Sequence, residues 1–165
     1  MTILALCQWL EDTRLGSLVR ETNWGYGTTQ MLHLLGMALF GGAVVMDDLR
    51  MLGRVRRPAM AELLDQLLPL KWWGVAVTAL SGIAIFISDA TRLYTNPAFL
   101  AKIVLLLLVV LNAWIFRSRV YPDLARRDPA AAPPAGARLA ASLSLLLWIA
   151  ILSASRIIGF VAAPG

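Results

Sequence analysis

Apolar and polar residues in this chain are sorted into long blocks. Four stretches carry too few charges to lie in water: 28–46, 72–88, 98–116 and 139–161. Each approaches the roughly 20 apolar residues needed to cross a hydrocarbon core about 30 Å thick. A backbone in lipid must satisfy its own hydrogen bonds, and none of the four alternates with period two, so each predicts a membrane-spanning helix. The expected fold class is all-α, a polytopic membrane four-helix bundle forming one domain over 1–165.

The flanking segments carry their own patterns. In residues 1–24, Ile3, Leu6, Cys7, Leu10, Leu15 and Leu18 fall on one side of a helix interrupted by Glu11, Asp12, Arg20 and Glu21, which predicts an N-terminal interfacial helix. No basic segment precedes it, and Leu6 stands where a lipoprotein signal needs a small residue before the cysteine, so the N-terminus is expected to stay on. Between the first two spans, Met60, Leu63, Leu64, Leu67 and Leu68 recur at helical spacing behind Pro58, predicting a cytoplasmic amphipathic loop helix over 58–68. Residues 122–138 contain the run DPAAAPPAGA and read as a flexible loop. Asn96 and Pro97 read as the cap and first position of the third span, which closes a short hairpin from the second.

Composition sharpens the class. The chain is 59% hydrophobic and 15% charged, where soluble domains carry roughly 25% charged residues. Disorder and a water-soluble domain are excluded, and the lipid bilayer is the first partner. Net charge is +5, and its distribution alternates. Arg14 and Arg20 precede the first span; Arg50, Arg54, Arg56, Arg57 and Lys71 follow it. Arg92 and Lys102 precede the third, and Arg117, Arg119, Arg126, Arg127 and Arg138 follow it. Cytoplasmic loops collect Lys and Arg, so the expected topology is a multi-pass inner-membrane protein with both termini periplasmic. This placement accounts for the basic charge without a nucleic acid partner. The lone Cys7 excludes an intrachain disulfide framework and any paired-cysteine metal motif.

Polar residues inside lipid are costly and each needs a reason. His33, Asp89, Lys102 and Arg156 come from the four spans and fall at one level, the outer third of the membrane. Met37 lies one turn below His33 on the same face. Together these five form a candidate ligand or cofactor site. Its expected geometry turns His33 toward the third or fourth span and sets Arg156 against Asp89, the Ser88 hydroxyl, a backbone carbonyl or an anionic ligand. At the inner end, Asp47, Asp48, Arg50 and Asn112 are expected to form a structural clamp, with Asp47 bonded to Asn112. Small residues should carry the helix packing: the strip Gly74, Thr78, Gly82 on the second span, Gly36, Gly41 and Gly42 on the first, Ala150 and Ala154 on the fourth.

The run WLEDTRLGSLVRETNWGYGTTQMLHLLGMALFGGAVVMDDLRMLG, then NPAFLAKIVLLLLVVLNAWIF, then SASRIIGF, resembles a bacterial family of four-helix membrane proteins of unknown function. That family is more distantly similar to the membrane domain of copper resistance protein D. Its marks are His-Leu-Leu-Gly at His33, Asp-Leu-Arg at Asp48 to Arg50, Asn-Pro-Ala-Phe-x-x-Lys at Asn96 to Lys102, and Ser-Arg-x-Ile-Gly around Arg156. The resemblance implies the fold over nearly the whole chain. The histidines and methionines expected of a copper handler are missing from the second, third and fourth spans.

Three function classes stand. No nucleophile elbow, phosphate loop or metalloprotease helix is present, so the first is a non-catalytic membrane component, packed as a homo-oligomer or against a partner subunit. The second is a haem b or metal binder in electron transfer or copper handling with His33 as ligand. A bis-axial haem within one chain is disfavoured, because His33 is the only histidine and the other spans offer no His or Met. The third is an oligomeric transporter of small solutes or ions.

Overall fold

The computed structural model describes residues 2–54, 68–124 and 132–160. The helices are α1 (Ile3–Glu11), α2 (Arg14–Glu21), α3 (Gly25–Met51), α4 (Leu68–Ser88), α5 (Ala90–Thr95), α6 (Pro97–Ile115), α7 (Tyr121–Leu124) and α8 (Ala135–Ile158), with a π turn over Phe116–Val120 ahead of α7. Four of them are long and apolar enough to cross a bilayer, with spans Gly25–Met51, Lys71–Ser88, Pro97–Val120 and Ala135–Ile158. The protein is an all-α membrane protein. Residues 58–67 of the expected amphipathic helix and 125–131 of the expected loop lie outside the described residues.

The ends of the helices follow local chemistry. The expected single N-terminal helix is two, because Thr13 turns the chain and caps α2, accepting from the Gly16 N–H at 3.3 Å. The first span overruns its expected end at 46 and stops at Gly53, whose φ of 73° only glycine adopts freely. The next N–H, of Arg54, returns to the Leu49 carbonyl at 3.0 Å, closing a Schellman turn. The π turn precedes Pro122, which has no N–H for the carbonyl of residue 118 and whose ring crowds it; the Tyr121 N–H reaches back to Phe116 instead. Helix therefore extends into both ends of the loop expected over 122–138, to Leu124 and from Ala135.

Side-chain bonds fix the pairing. His33 on α3 reaches Thr78 and Ser81 on α4, while Asp47 on α3 reaches Lys71 on α4. Asn96, ahead of α6, reaches Ile158 on α8, while Asn112 on α6 reaches Ala140 on α8. Each pair is therefore antiparallel: α3 with α4, and α6 with α8. The end that holds α1, α2 and α5 is called upper here. The two hairpins meet where α3 packs on α8, with Phe40 edge-on to Trp148 at 5.6 Å. At the upper end Phe86 stacks on Phe99, also at 5.6 Å.

Helix α8 is the core element. Its buried residues include Ala137, Ala141, Ser144, Trp148 and Ile151, spaced four, three, four, three as in a coiled-coil seam. Helix α6 is the opposite case, with no buried residue; Leu107, Val110 and Trp114 face outward. In lipid such faces need no protein cover.

The upper end is tied down by a contact the sequence does not announce. The N-terminus of α5 lacks a cap from its own Asp89. Glu11 of α1 supplies it, accepting from the Thr91 N–H at 2.7 Å and from the Thr91 hydroxyl at 2.6 Å. A carboxylate at a helix N-terminus is favoured by both the free N–H groups and the dipole.

Candidate functional site

His33 lies two turns into α3, where α4 comes closest. Gly74, Thr78 and Gly82 line the facing stripe of α4, as the i, i+4, i+8 spacing predicts. A Cβ on Gly36 would stand 2.8 Å from the Thr78 nitrogen and 3.0 Å from the Gly74 oxygen, and one on Gly82 would stand 3.1 Å from His33 Cε1. This bare backbone surface is why His33 meets the second span and not the third or fourth. With no side chain at Gly82 in the way, the ring lies against α4 and Nδ1 stands 3.0 Å from the Thr78 carbonyl oxygen and 3.1 Å from Ser81 Oγ.

Those two partners fix the tautomer. A carbonyl oxygen only accepts, so Nδ1 carries the hydrogen and donates it. The Ser81 hydroxyl donates its own hydrogen to the Val77 carbonyl at 2.5 Å, which leaves Ser81 Oγ an acceptor toward Nδ1 too. Nε2 is then an unprotonated lone pair, and it makes no hydrogen bond among the described residues.

Lys102 joins His33. It is half-buried in the second turn of α6, close enough for its charge to act on the imidazole. Among the described residues it has neither an ion-pair nor a hydrogen-bond partner. Met37 is half-buried one turn below His33.

The other two members of the expected cluster go elsewhere. Asp89 accepts from Arg92 Nε at 2.6 Å in an i, i+3 pair, and this bond pushes the Arg92 guanidinium above its ordinary range. Arg156 is exposed, with its guanidinium 4.8 Å from the centre of the Phe160 ring one turn on, a cation–π contact. Asp89 thus has a nearer cation on its own turn, and Arg156 a nearer aromatic ring. Asp89 also lines, with Arg20, Tyr26 and Ser88, a recess of about 260 Å³ at the upper end.

At the lower end the expected clamp is divided. Asp47 pairs with Lys71 of α4 at 2.5 Å instead of bonding Asn112, because α4, not α6, is the neighbour of α3. Asn112 donates to the Ala140 carbonyl of α8 at 3.1 Å. Asp48 is buried with the Ser144 hydroxyl beside its carboxyl group, and Arg50 is exposed.

A family model, DUF6644, described as a family of unknown function, matches residues 6–161. The chain belongs to DUF6644. Neither the curated proteins nor the solved structures give a match. The matched range runs from within α1 past the end of α8, so in this DUF6644 chain the short helices α2 and α5 fall inside the family unit with the four long ones. Sequence reasoning placed His33 and Lys102 at one depth and missed Ser81, Ser144, Trp148 and Glu11. Ser81 could have been found, since it stands one turn from Thr78 of the glycine stripe and next to Gly82. No local pattern marks Glu11.

Proposed function

We propose that this protein is a non-catalytic component of a bacterial inner membrane, with both termini periplasmic, that holds a small ligand in the outer half of its bundle between His33 and Lys102. The observation carrying this reading is the His33 ring, fixed through Nδ1, with Nε2 and the nearby Lys102 ammonium both lacking a partner among the described residues. At membrane depth an unpaired polar group is costly, and a bound group that accepts a lone pair or carries negative charge would relieve both. A second reading, a metal or haem b held in electron transfer or copper handling, is favoured by the same bond. Ligating histidines are commonly oriented by an N–H to a backbone carbonyl on the opposite nitrogen.

The test compares wild type, His33→Gln and Lys102→Gln purified in mild detergent from native membranes. Absorption spectra, metal content and mass spectra of released small molecules should show one species bound to wild type and at least tenfold depleted in both variants. A Soret band or a stoichiometric metal identifies the second reading. Three identical profiles would overturn the site.

Orientation rests on the alternation of basic residues and is checked separately. Reporter fusions after Arg57 and after Pro134 should both give a cytoplasmic signal, and a periplasmic signal from either reverses the topology.

A further inference from the structure

Among the described side chains, two buried polar atoms lack a hydrogen-bond partner, Asp48 Oδ2 and Trp148 Nε1. Both belong to the seam where α3 meets α8. Asp48 is 6% exposed and Trp148 9%. Ser144 stands beside the Asp48 carboxyl group, and Trp148 lies one helical turn above Ser144 on the same face of α8. One orphan is an acceptor and the other a donor.

The charges around Asp48 are otherwise spent. Lys71 of α4 is committed to Asp47. Arg50 on its own helix is exposed and forms no ion pair among the described residues. Helix α8 presents only the neutral Ser144 and Trp148 at this level. An ionised Asp48 would therefore be a buried charge beside a second carboxylate, offset only in part by the Ser144 hydroxyl and by the Lys71 ammonium that Asp47 already holds, a costly arrangement at membrane depth.

We propose that Asp48, Ser144 and Trp148 form a proton-binding site on the α3–α8 seam. The bound proton makes Asp48 a neutral carboxylic acid with its O–H given to Ser144 Oγ. The carbonyl oxygen then accepts the Trp148 Nε1 hydrogen through one bridging water, since the two atoms make no direct bond. The reaction is a simple protonation: a proton from water bonds to a carboxylate oxygen, and nothing else changes. Release returns the proton to water and leaves the Trp148 N–H facing a carboxylate.

The full chain in nanodiscs is examined by infrared difference spectroscopy between low and high pH. Wild type should show a protonated-carboxyl C=O band that is lost reversibly as pH rises, moves in D2O and survives in Asp47→Asn. The band should be absent from Asp48→Asn and shifted to higher frequency in Trp148→Phe, which removes the N–H donor. Asp48→Asn imitates the neutral acid in shape; should it fail to fold, the shift in Trp148→Phe decides alone. Replacing choline with Na+ at constant pH should leave the band unchanged. A band abolished by Na+ marks an alkali-cation site instead, and a band missing from wild type, retained in Asp48→Asn or unmoved in Trp148→Phe overturns the assignment.

Discussion

Gly36→Leu should force α3 away from α4 and lower stability in detergent by about 3 to 5 kcal/mol, combining overpacking with the lost His33 hydrogen bonds. The obstacle is backbone, which cannot rotate aside: the Thr78 nitrogen and Gly74 oxygen already lie 2.8 and 3.0 Å from where a Cβ would sit. On the other helix, a Cβ at Gly74 would meet the Phe40 nitrogen at 2.9 Å. Gly36→Ala, the smallest such change, should still cost about 1 to 3 kcal/mol. Gly41→Ala and Gly42→Ala are the controls, since nothing lies within 4 Å of either Cβ, and both should fall within about 1 kcal/mol of wild type. Thermal unfolding of the purified proteins reads all four. If Gly36→Ala and Gly41→Ala melt alike, close backbone contact is not what joins the two helices.

Asn96→Ala should be the most damaging polar truncation in the chain, at about 2 to 4 kcal/mol. Asn96 is fully buried. Its Oδ1 accepts from the Ala98 and Phe99 N–H groups at 3.0 and 3.2 Å, which caps α6. Its Nδ2 donates to the Ile158 carbonyl at 3.2 Å, one of the last carbonyls of α8 and without a partner inside its own helix. One side chain thereby closes two helix ends. Asn96→Ser keeps a capping oxygen but cannot span to Ile158, so it should recover about half of the alanine loss. Equal melting of Ser and Ala variants would mean that the bond to α8, not the cap, carries the whole effect.

The spans were legible because apolar blocks near 20 residues have no other stable home. The α3–α4 contact was partly legible, since a strip at Gly74, Thr78 and Gly82 has to face a helix. Which helix it faces depends on how each cylinder is rotated about its axis, and the packing of all four decides that together. His33 was therefore assigned the wrong neighbour. The Asp89–Arg92 and Arg156–Phe160 pairs were readable at i, i+3 and i, i+4 spacing, and reading them would have separated Asp89 and Arg156 from the His33 cluster. Glu11 and Thr91 are 80 residues apart, and nothing local connects them. Pro122 could have announced the π turn, because a proline that does not end a helix must displace its hydrogen bonds.

The pairing of the helices also determines how the bundle can move. Within each hairpin the partners are riveted near both ends, by His33 and the Asp47–Lys71 pair in one, and by Asn96 and Asn112 in the other. Between hairpins the Phe40–Trp148 and Phe86–Phe99 ring pairs can slide without breaking a hydrogen bond, and the polar contact on that seam is the one Asp48 makes with Ser144. The least costly internal displacement is thus a rocking of one hairpin against the other along the line where α3 crosses α8. Asp48 sits near the lower end of that line, so a unit of charge gained or lost there acts on the axle of the motion rather than on either of the arms it joins.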